Sequence, residues 1–223
     1  MEIFTREIIE VGKRLQQLNL ISATEGNISI RHQEDQIFAT RTGTRKGDLI
    51  TEDIIKFNLK SPAEGELKKA SSEIKLHLEY YLQREDISAV IHAHPVNCIA
   101  LMMADIQLNR AYLPEMVVLL GAVPTAKYAT PSTVEVPLSI RQFVSETDVI
   151  LLDRHGAVVA AESLKLALIK LETLEHGAES ILKAAILKGK LPPALPEYEV
   201  KRLIDLRTNR YKIHGRFSDK FVF

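Results

Sequence analysis

Two histidines one residue apart form the clearest candidate site. His92 and His94 lie in the stretch HAHP, directly after the apolar, strand-like run SAVI at residues 88–91. Alternate residues of a strand point to the same face, so both imidazoles can reach one ion. His155 follows a similar run, DVILL at residues 148–152. If the two strands are neighbours in a sheet, all three rings meet and leave a coordination position open for water or substrate.

The plainer interpretation of these histidines is structural. A His-x-His pair also arises by chance in a chain of this length, so its spacing alone does not decide for a metal. The other four histidines lack any partner pattern, and we expect them to be surface or structural residues: His32, His77, His176 and His214.

A second group of residues could bind an anion. Ser71 and Ser72 precede a helix that we expect to begin near Glu73, with Ser71 as its N-cap, and free backbone amides there would favour phosphate. The turn TGT at residues 42–44 and the stretch TEGN at residues 24–27 add further small donors. Each segment by itself is more typical of a cap or a turn, so the anion site requires that the fold bring them together.

Glu73 is the candidate base. It follows the two serines directly, and a carboxylate beside a metal-bound carbonyl could remove an α-proton if its pKa were raised toward neutrality. The alternative is that Glu73 only complements the dipole of the helix that begins there.

Hydrophobic periodicity predicts helices and short strands that share one core. The strands after residue 25 are separated by polar turns, which favours antiparallel pairing. Predicted helices cover residues 3–18, 73–82, 97–103, 163–188 and 198–208, with another starting near Ser132. Predicted strands are NISIR, QIFAT, IIKFNL, SAVI, the apolar centre of PEMVVLLGAVPTA, and DVILL. The chain has no repeats or linkers, so residues 1–223 are expected to form a single domain.

Composition limits the classes of partner. Hydrophobic residues make up 46% of the chain, which suits an ordinary globular protein. Basic and acidic residues both number 29, so no basic surplus exists to hold nucleic acid or an anionic membrane. No apolar run approaches the ~20 residues of a membrane helix, and the N-terminus lacks the pattern of a signal peptide. The single cysteine, Cys98, suits a reducing compartment, so we expect a cytoplasmic protein in which Cys98 is a small buried hydrophobe.

Taken together, the motifs resemble the class II aldolase/adducin-head family, most closely its L-fuculose-1-phosphate aldolase-like branch, over residues 6–215. Their order and spacing make the resemblance specific: TEGNIS at 24–29, TRTGTRKGDL at 40–49, ASSE at 70–73, AVIHAHP at 89–95, VPTAKYATP at 123–131, LLDRHG at 151–156, and the helix containing LETLEHGAES. The resemblance implies a three-layer αβα fold with a central, largely antiparallel sheet. It also implies a four-fold symmetric homotetramer with active sites between subunits, and a mobile tail at about residues 209–223.

The resemblance further implies a role for each candidate residue. One zinc ion per subunit would be bound, although three imidazoles accept other divalent ions as well. The implied metal ligands are His92, His94 and His155, with Glu73 as the proton-abstracting base and a neighbour of the metal. The implied phosphate-binding residues are Asn27, Thr42, Gly43, Ser71 and Ser72. Tyr211 matches a tyrosine of the family's C-terminal tail that helps to close the site.

The implied reaction is the reversible cleavage of a small phosphorylated sugar, a ketose 1-phosphate. Zinc would stabilise the enediolate of dihydroxyacetone phosphate while Glu73 carries the proton, and the second product would be an aldehyde.

One residue departs from the aldolase pattern. Glu115 stands where the similar aldolases have a tyrosine that donates a proton, and Tyr112 lies close enough to take that role instead. Methylthioribulose-1-phosphate dehydratases carry a Glu in a comparable position, and pentulose-phosphate 4-epimerases carry an Asp. A dehydratase or epimerase is therefore the alternative activity, and a non-catalytic module like the adducin head is a third interpretation.

Overall fold

The computed structural model describes residues 2–223, except for the side chain of Glu34. The helices in this range are α1 (Ile3–Gln17), α2 (Glu64–Lys69), α3 (Ile74–Gln83), α4 (Val96–Met103), α5 (Pro114–Leu119), α6 (Glu135–Val144), α7 (Leu164–Lys188) and α8 (Glu197–Asp205). The strands are β1 (Asn27–His32), β2 (Gln36–Thr40), β3 (Ile54–Asn58), β4 (Ala89–Ala93), β5 (Thr125–Ala126), β6 (Val149–Leu152) and β7 (Gly156–Ala161).

Across the described residues, the strands form one seven-stranded sheet in the order β3-β2-β1-β4-β7-β6-β5. Every neighbouring pair is antiparallel except β5 and β6, which run parallel. The sheet is therefore largely antiparallel, as the sequence predicts.

Helices cover both faces of the sheet. Because successive side chains of a strand point to opposite faces, Ile91 and Val159 pack on one side with α1, α4 and α7, while Val90 and Val158 pack on the other with α3 and α6. The predicted three-layer αβα architecture is confirmed. Cys98 is fully buried in the first of these cores, also as predicted.

The strand predicted within PEMVVLLGAVPTA is wrong. The segment begins with helix α5, turns at Gly121 with a φ of 77°, and ends in the two-residue strand β5. Pro114 occupies the first turn of the helix, where its missing N–H costs nothing. A short apolar run is compatible with a buried helix or a buried strand, so the periodicity could not distinguish them.

The neighbouring relation expected for SAVI and DVILL is also wrong. Strand β7, which the sequence does not signal, lies between β4 and β6 and pairs antiparallel with both. The chain turns tightly at residues 153–155, where Arg154 has a φ of 54°, and returns as β7 beside β6. His155 is thus carried to β4 by the turn before β7.

The C-terminal segment packs against α5, and Ser218 pairs with Gly121 and Ala122 just after that helix. Helix α8 continues as a π-helical stretch at Leu206–Tyr211, and Arg207 is 1% exposed. Its guanidinium donates to the carbonyls of Val118 and Gly215 and lies over the ring of Phe217. Within residues 2–223, no helix combines the length and the apolar character that crossing a bilayer requires.

Candidate metal centre

The end of β4 positions two of the histidines. His92 lies within the strand and His94 follows it, so the two rings project from the same face. The His94 amide donates to the Leu20 carbonyl at 2.8 Å, which extends the strand-like backbone beyond β4. His155 reaches the same point because β7 pairs with β4, with Ala157 opposite Ala93.

The three imidazoles and Glu73 form one compact cluster. The Nε2 atoms of His92 and His94 are 3.0 Å apart, and the three ring centroids are separated by 4.8 to 4.9 Å. One Glu73 oxygen lies 3.1 Å from Nε2 of His92, and the other lies 3.5 Å from Nε2 of His155. All four candidate ligand atoms lie within 4.8 Å of one another.

Hydrogen bonds behind the rings orient them toward the cluster. Nδ1 of His92 donates to the Ala157 carbonyl at 2.9 Å, which leaves the Nε2 lone pair directed at the centre. Nδ1 of His94 lies 3.4 Å from a carboxylate oxygen of Glu25. Such outer partners fix the ring orientation and raise the basicity of a metal-binding imidazole.

The electrostatics favour neutral rings at His94 and His155 and an ionised Glu73 carboxylate. Burial raises the pKa of Glu73, but the hydrogen bond and positive charge of His92, with the charges of His155 and His94, outweigh burial and lower that pKa to about 2. Burial and the neighbouring His92 charge lower the pKa of His94 to about 3 and of His155 to about 4. The raised pKa that the sequence-based prediction requires for Glu73 to act as a base is therefore not observed. At neutral pH these are the protonation states that bind a cation.

The donor set fits a divalent metal ion. Oε1 of Glu73 is buried without a hydrogen-bond partner among the described residues, which is costly unless a cation satisfies it. A tetrahedral zinc ion with Zn–N bonds of about 2.0–2.1 Å places two nitrogens about 3.3 Å apart, close to the separation of His92 and His94. Three imidazoles with one carboxylate suit zinc and several other divalent ions.

The predicted anion-binding segments meet beside Glu73. Thr42, Ser71 and Ser72 line one cavity of about 230 Å³ at the start of α3. Backbone hydrogen bonds from Thr42 to Lys69 and from Ser71 to Thr40 hold the two segments together. The sequence predicts Ser71 as the N-cap of α3, and this prediction is wrong. Glu73 occupies the N-cap position. The Ser71 hydroxyl instead accepts a hydrogen bond from the Glu73 amide at 3.3 Å.

Gly43 and Asn27 complete the predicted set. Gly43 has a φ of 73°, and a Cβ added there would contact nothing within 4 Å, so the turn is open on that side. Asn27 lies opposite His92 in the β1–β4 pair and is buried, and its Oδ1 lacks a partner among the described residues.

The remaining candidates lie outside the cluster within one chain. Glu115 is exposed and lines a separate cavity of about 440 Å³ with Glu172, Glu175 and His176. Tyr211 is 54% exposed in the π-helical stretch. Tyr112 is buried, and its hydroxyl has no partner among the described residues.

The sequence does not predict the burial of two polar residues, Lys46 and His77. Lys46, from the turn TGTRKGD, is 2% exposed and donates to the carbonyls of Thr24 and Thr44 at 2.6 and 2.7 Å. His77 is fully buried and bonded to Ser29. A lysine in a polar turn carries no sequence signal of burial, and a lone histidine carries none of a function.

Comparison with known proteins agrees with this geometry. The family model described as Class II Aldolase and Adducin N-terminal domain matches residues 6–182. A 5-deoxy-D-ribulose 1-phosphate aldolase of Bacillus thuringiensis serovar kurstaki is 30% identical over 200 residues, which cover 88% of this chain and 92% of that protein. An L-fuculose phosphate aldolase of Escherichia coli K12 is 29% identical, with 94% of each chain covered.

A solved structure of an L-fuculose 1-phosphate aldolase superposes with a TM-score of 0.82 at 27% identity, covering 96% of this chain and 98% of that one. The sequence match and the shared architecture extend over the strands and turns that carry the histidine cluster. The chain belongs to the class II aldolase and adducin N-terminal domain family.

Proposed function

We propose that this protein is a metal-dependent aldolase that reversibly cleaves a ketose 1-phosphate, similar to L-fuculose 1-phosphate, into dihydroxyacetone phosphate and an aldehyde. The main support is one juxtaposition. The Glu73 carboxylate lies against the imidazoles of His92 and His155, and Glu73 directly follows Ser71 and Ser72, which line a cavity with Thr42.

His92, His94 and His155 would hold one Zn²⁺ per subunit. When bound, the ion supplies Lewis-acid charge that stabilises the enediolate form of dihydroxyacetone phosphate. Glu73 would remove and return the proton at the carbon next to the carbonyl. Its carboxylate is ionised at neutral pH, which is the form that accepts a proton.

The phosphate group would be bound at the beginning of α3. Thr42, Ser71 and Ser72 line a cavity there, and the Gly43 turn and the Asn27 amide would supply further donors. A phosphate bound there would direct the reacting carbons toward Glu73 and the imidazoles.

The aldehyde end would be completed by a neighbouring subunit of a cytoplasmic homotetramer. Glu115 and Tyr211 are solvent-exposed and lie outside the cluster of their own chain, which suits residues that act across an interface. There Glu115, or the nearby Tyr112, would exchange a proton with the aldehyde oxygen, and Tyr211 would help to close the site.

The second candidate is a dehydratase or 4-epimerase acting on a related sugar phosphate. The acidic Glu115, in place of the aldolase tyrosine, favours it. Glu73 favours the aldolase, because the dehydratases lack an acidic residue at that position. A non-catalytic module like the adducin head does not require a metal centre, whereas this chain keeps the three imidazoles and the carboxylate together.

The test is product analysis with L-fuculose 1-phosphate, ribulose 1-phosphate, 5-deoxyribulose 1-phosphate and methylthioribulose 1-phosphate. Dihydroxyacetone phosphate is expected from at least one of the first three. Its absence from all four, with water loss from the last, would replace the aldolase by the dehydratase.

Two variants test the assigned roles. We expect Glu73→Gln to retain the metal and lose roughly 10²-fold or more in kcat, because a general base typically contributes 10²–10⁴-fold. His155→Ala should lose bound metal in elemental analysis, whereas the exposed His176→Ala should retain it. Full metal content in the His155 variant would contradict the ligand assignment.

A further inference from the structure

A buried polar chain lies behind the metal centre. The Tyr81 hydroxyl lies 2.8 Å from the Ser29 hydroxyl, which lies 2.7 Å from Nδ1 of His77. All three residues are buried. Nε2 of His77, at the end of this chain, has no hydrogen-bond partner among the described residues. A fully buried ring nitrogen without a partner is unusual and requires an explanation.

The same layer of the fold holds the residues around this nitrogen. His77 follows Glu73 by four positions, so the two share one face of the helix. Ser29 alternates with Asn27 along β1, so both point to that helix, and Asn27 lies opposite His92. On this side of the sheet Asn27, Ser29 and His77 are buried, and the side chain of Glu73 is 11% exposed. Oδ1 of Asn27 and Oε1 of Glu73 also lack partners there.

The three unpartnered atoms are one hydrogen-bond donor, Nε2 of His77, and two acceptors, Oδ1 of Asn27 and Oε1 of Glu73. Burial raises the pKa of the Tyr81 hydroxyl, so it stays protonated and has a hydrogen to donate to Ser29. Ser29 then has its own hydrogen for Nδ1 of His77. Burial lowers the pKa of His77 to about 3, so the ring is neutral at neutral pH. With Ser29 donating to Nδ1, the only ring proton is on Nε2. The chain therefore ends in an N–H donor, and the two other unpaired atoms, on Asn27 and Glu73, are acceptors.

We propose that His77 is a positioning residue whose Nε2–H, through one buried water, orients the Glu73 carboxylate and the Asn27 side chain. A buried water typically needs two to four polar partners, and this donor and these two acceptors supply three. The inference rests on the proposed function, since it assigns His77 the task of holding the base and a phosphate-binding residue in one geometry.

Two substitutions at His77 distinguish the roles of its two ring nitrogens. His77→Asn keeps a polar group near the Nδ1 position and therefore the bond to Ser29, but it does not reach the Nε2 position. His77→Gln places an amide N–H near the Nε2 position. The matched control is Tyr80→Phe, which removes another buried, unpartnered hydroxyl from the same helix.

We expect the Asn variant to lose roughly 10–100-fold in kcat, the usual range for a lost outer partner of a metal site, with a smaller rise in KM because Asn27 is no longer held. The Gln variant should stay within about threefold of the wild-type kcat, and so should Tyr80→Phe. The visible spectrum of the Co²⁺-loaded protein should shift in the Asn variant and stay unchanged in the Gln variant and the control. Thermal midpoints of both His77 variants are expected to fall.

Equal kcat and equal Co²⁺ spectra in the Asn and Gln variants would overturn the proposal, because His77 would then only stabilise the fold. The same holds if kcat simply follows the thermal midpoint. The spectrum needs no substrate. Separated spectra in a protein that cleaves no ketose 1-phosphate would therefore support His77 as a positioning residue while rejecting the aldolase activity.

Discussion

Lys46 places a positive charge inside the molecule without an acidic partner. Its ammonium group bonds the carbonyls of Thr24 and Thr44, and no carboxylate of the described residues lies within ion-pair distance. The two carbonyls belong to the loops that carry Asn27 and Gly43, so Lys46 fixes the spacing of these loops. Burial lowers the pKa of Lys46 to about 8.

This shift predicts a stability that depends on pH. The pKa of Lys46 is about 8 in the folded state and 10.5 in the unfolded chain, so between these values the unfolded chain binds more protons there. The free energy of unfolding of the wild type, relative to Lys46→Met, should rise by up to about 3 kcal/mol as pH increases from 8 to 10.5. Urea unfolding at several pH values measures it.

The exposed Lys75→Met provides the control, since its difference from wild type should not change across that pH range. A constant difference between wild type and Lys46→Met would mean that Lys46 keeps an ordinary pKa in the folded state.

At the scale of elements, the helix after the histidine pair is held by a carboxylate from another helix. One Glu175 oxygen, on α7, accepts from the backbone and side-chain nitrogens of Asn97 at 2.9 Å, and the other accepts from the Cys98 amide at 3.1 Å. Glu175 thus caps α4, which begins two residues after His94. This contact fixes the backbone on which the metal-facing rings stand.

Removing the cap should destabilise the fold. We expect Glu175→Ala to lower the free energy of unfolding by about 1–3 kcal/mol, because two buried amide groups lose a charged acceptor. Glu175→Gln should lose less, since its amide oxygen still accepts. Denaturant unfolding measures both, and Glu179→Ala, whose carboxylate pairs with Lys183 at the surface, should stay within about 0.5 kcal/mol. Equal losses in the Ala variants of Glu175 and Glu179 would argue against the cap.

Local sequence predicted most elements, but not the order of strands. The first strands are bounded by polar turns, and α7 has both end signals, the Ser163 cap and Gly189 at a φ of 68°. Strand β7, GAVVAA, is buried on both faces and rich in small residues, so it lacks alternation.

The same limits apply to the site. His92 and His94 share a face because they are two residues apart, which the sequence alone gives. The approach of His155 depends on β7 lying between β4 and β6, and no local pattern contains that information. Lys46 and His77 are defined by what surrounds them in three dimensions.

At the scale of the whole molecule, the candidate groups divide into two sets. Glu73 and the imidazoles lie together, whereas Glu115 and Tyr211 are displayed on other surfaces of the same chain. A site shared between subunits would bring Glu115 and Tyr211 of one subunit to Glu73 and the imidazoles of its neighbour. A symmetric ring would repeat that contact at every interface.

Subunit mixing tests this arrangement. Glu73→Gln and Glu115→Ala should each be nearly inactive alone, but tetramers refolded from an equal mixture should recover roughly one quarter of wild-type activity. One site in four then combines an intact Glu73 with an intact Glu115 from the neighbour. No recovery in mixtures that sedimentation shows to be tetrameric would place both residues in one subunit's site.

The pairing of β4 with β7 also dictates when the metal centre can exist. The carbonyl that orients His92 lies 65 residues further along the chain, and the ring of His155 arrives with the same strand. Before this long-range pairing forms, a metal could meet only the local pair of His92 and His94, without His155. Metal ions should therefore bind only after the chain has folded. We expect them to lower the unfolding rate and to leave the folding rate unchanged.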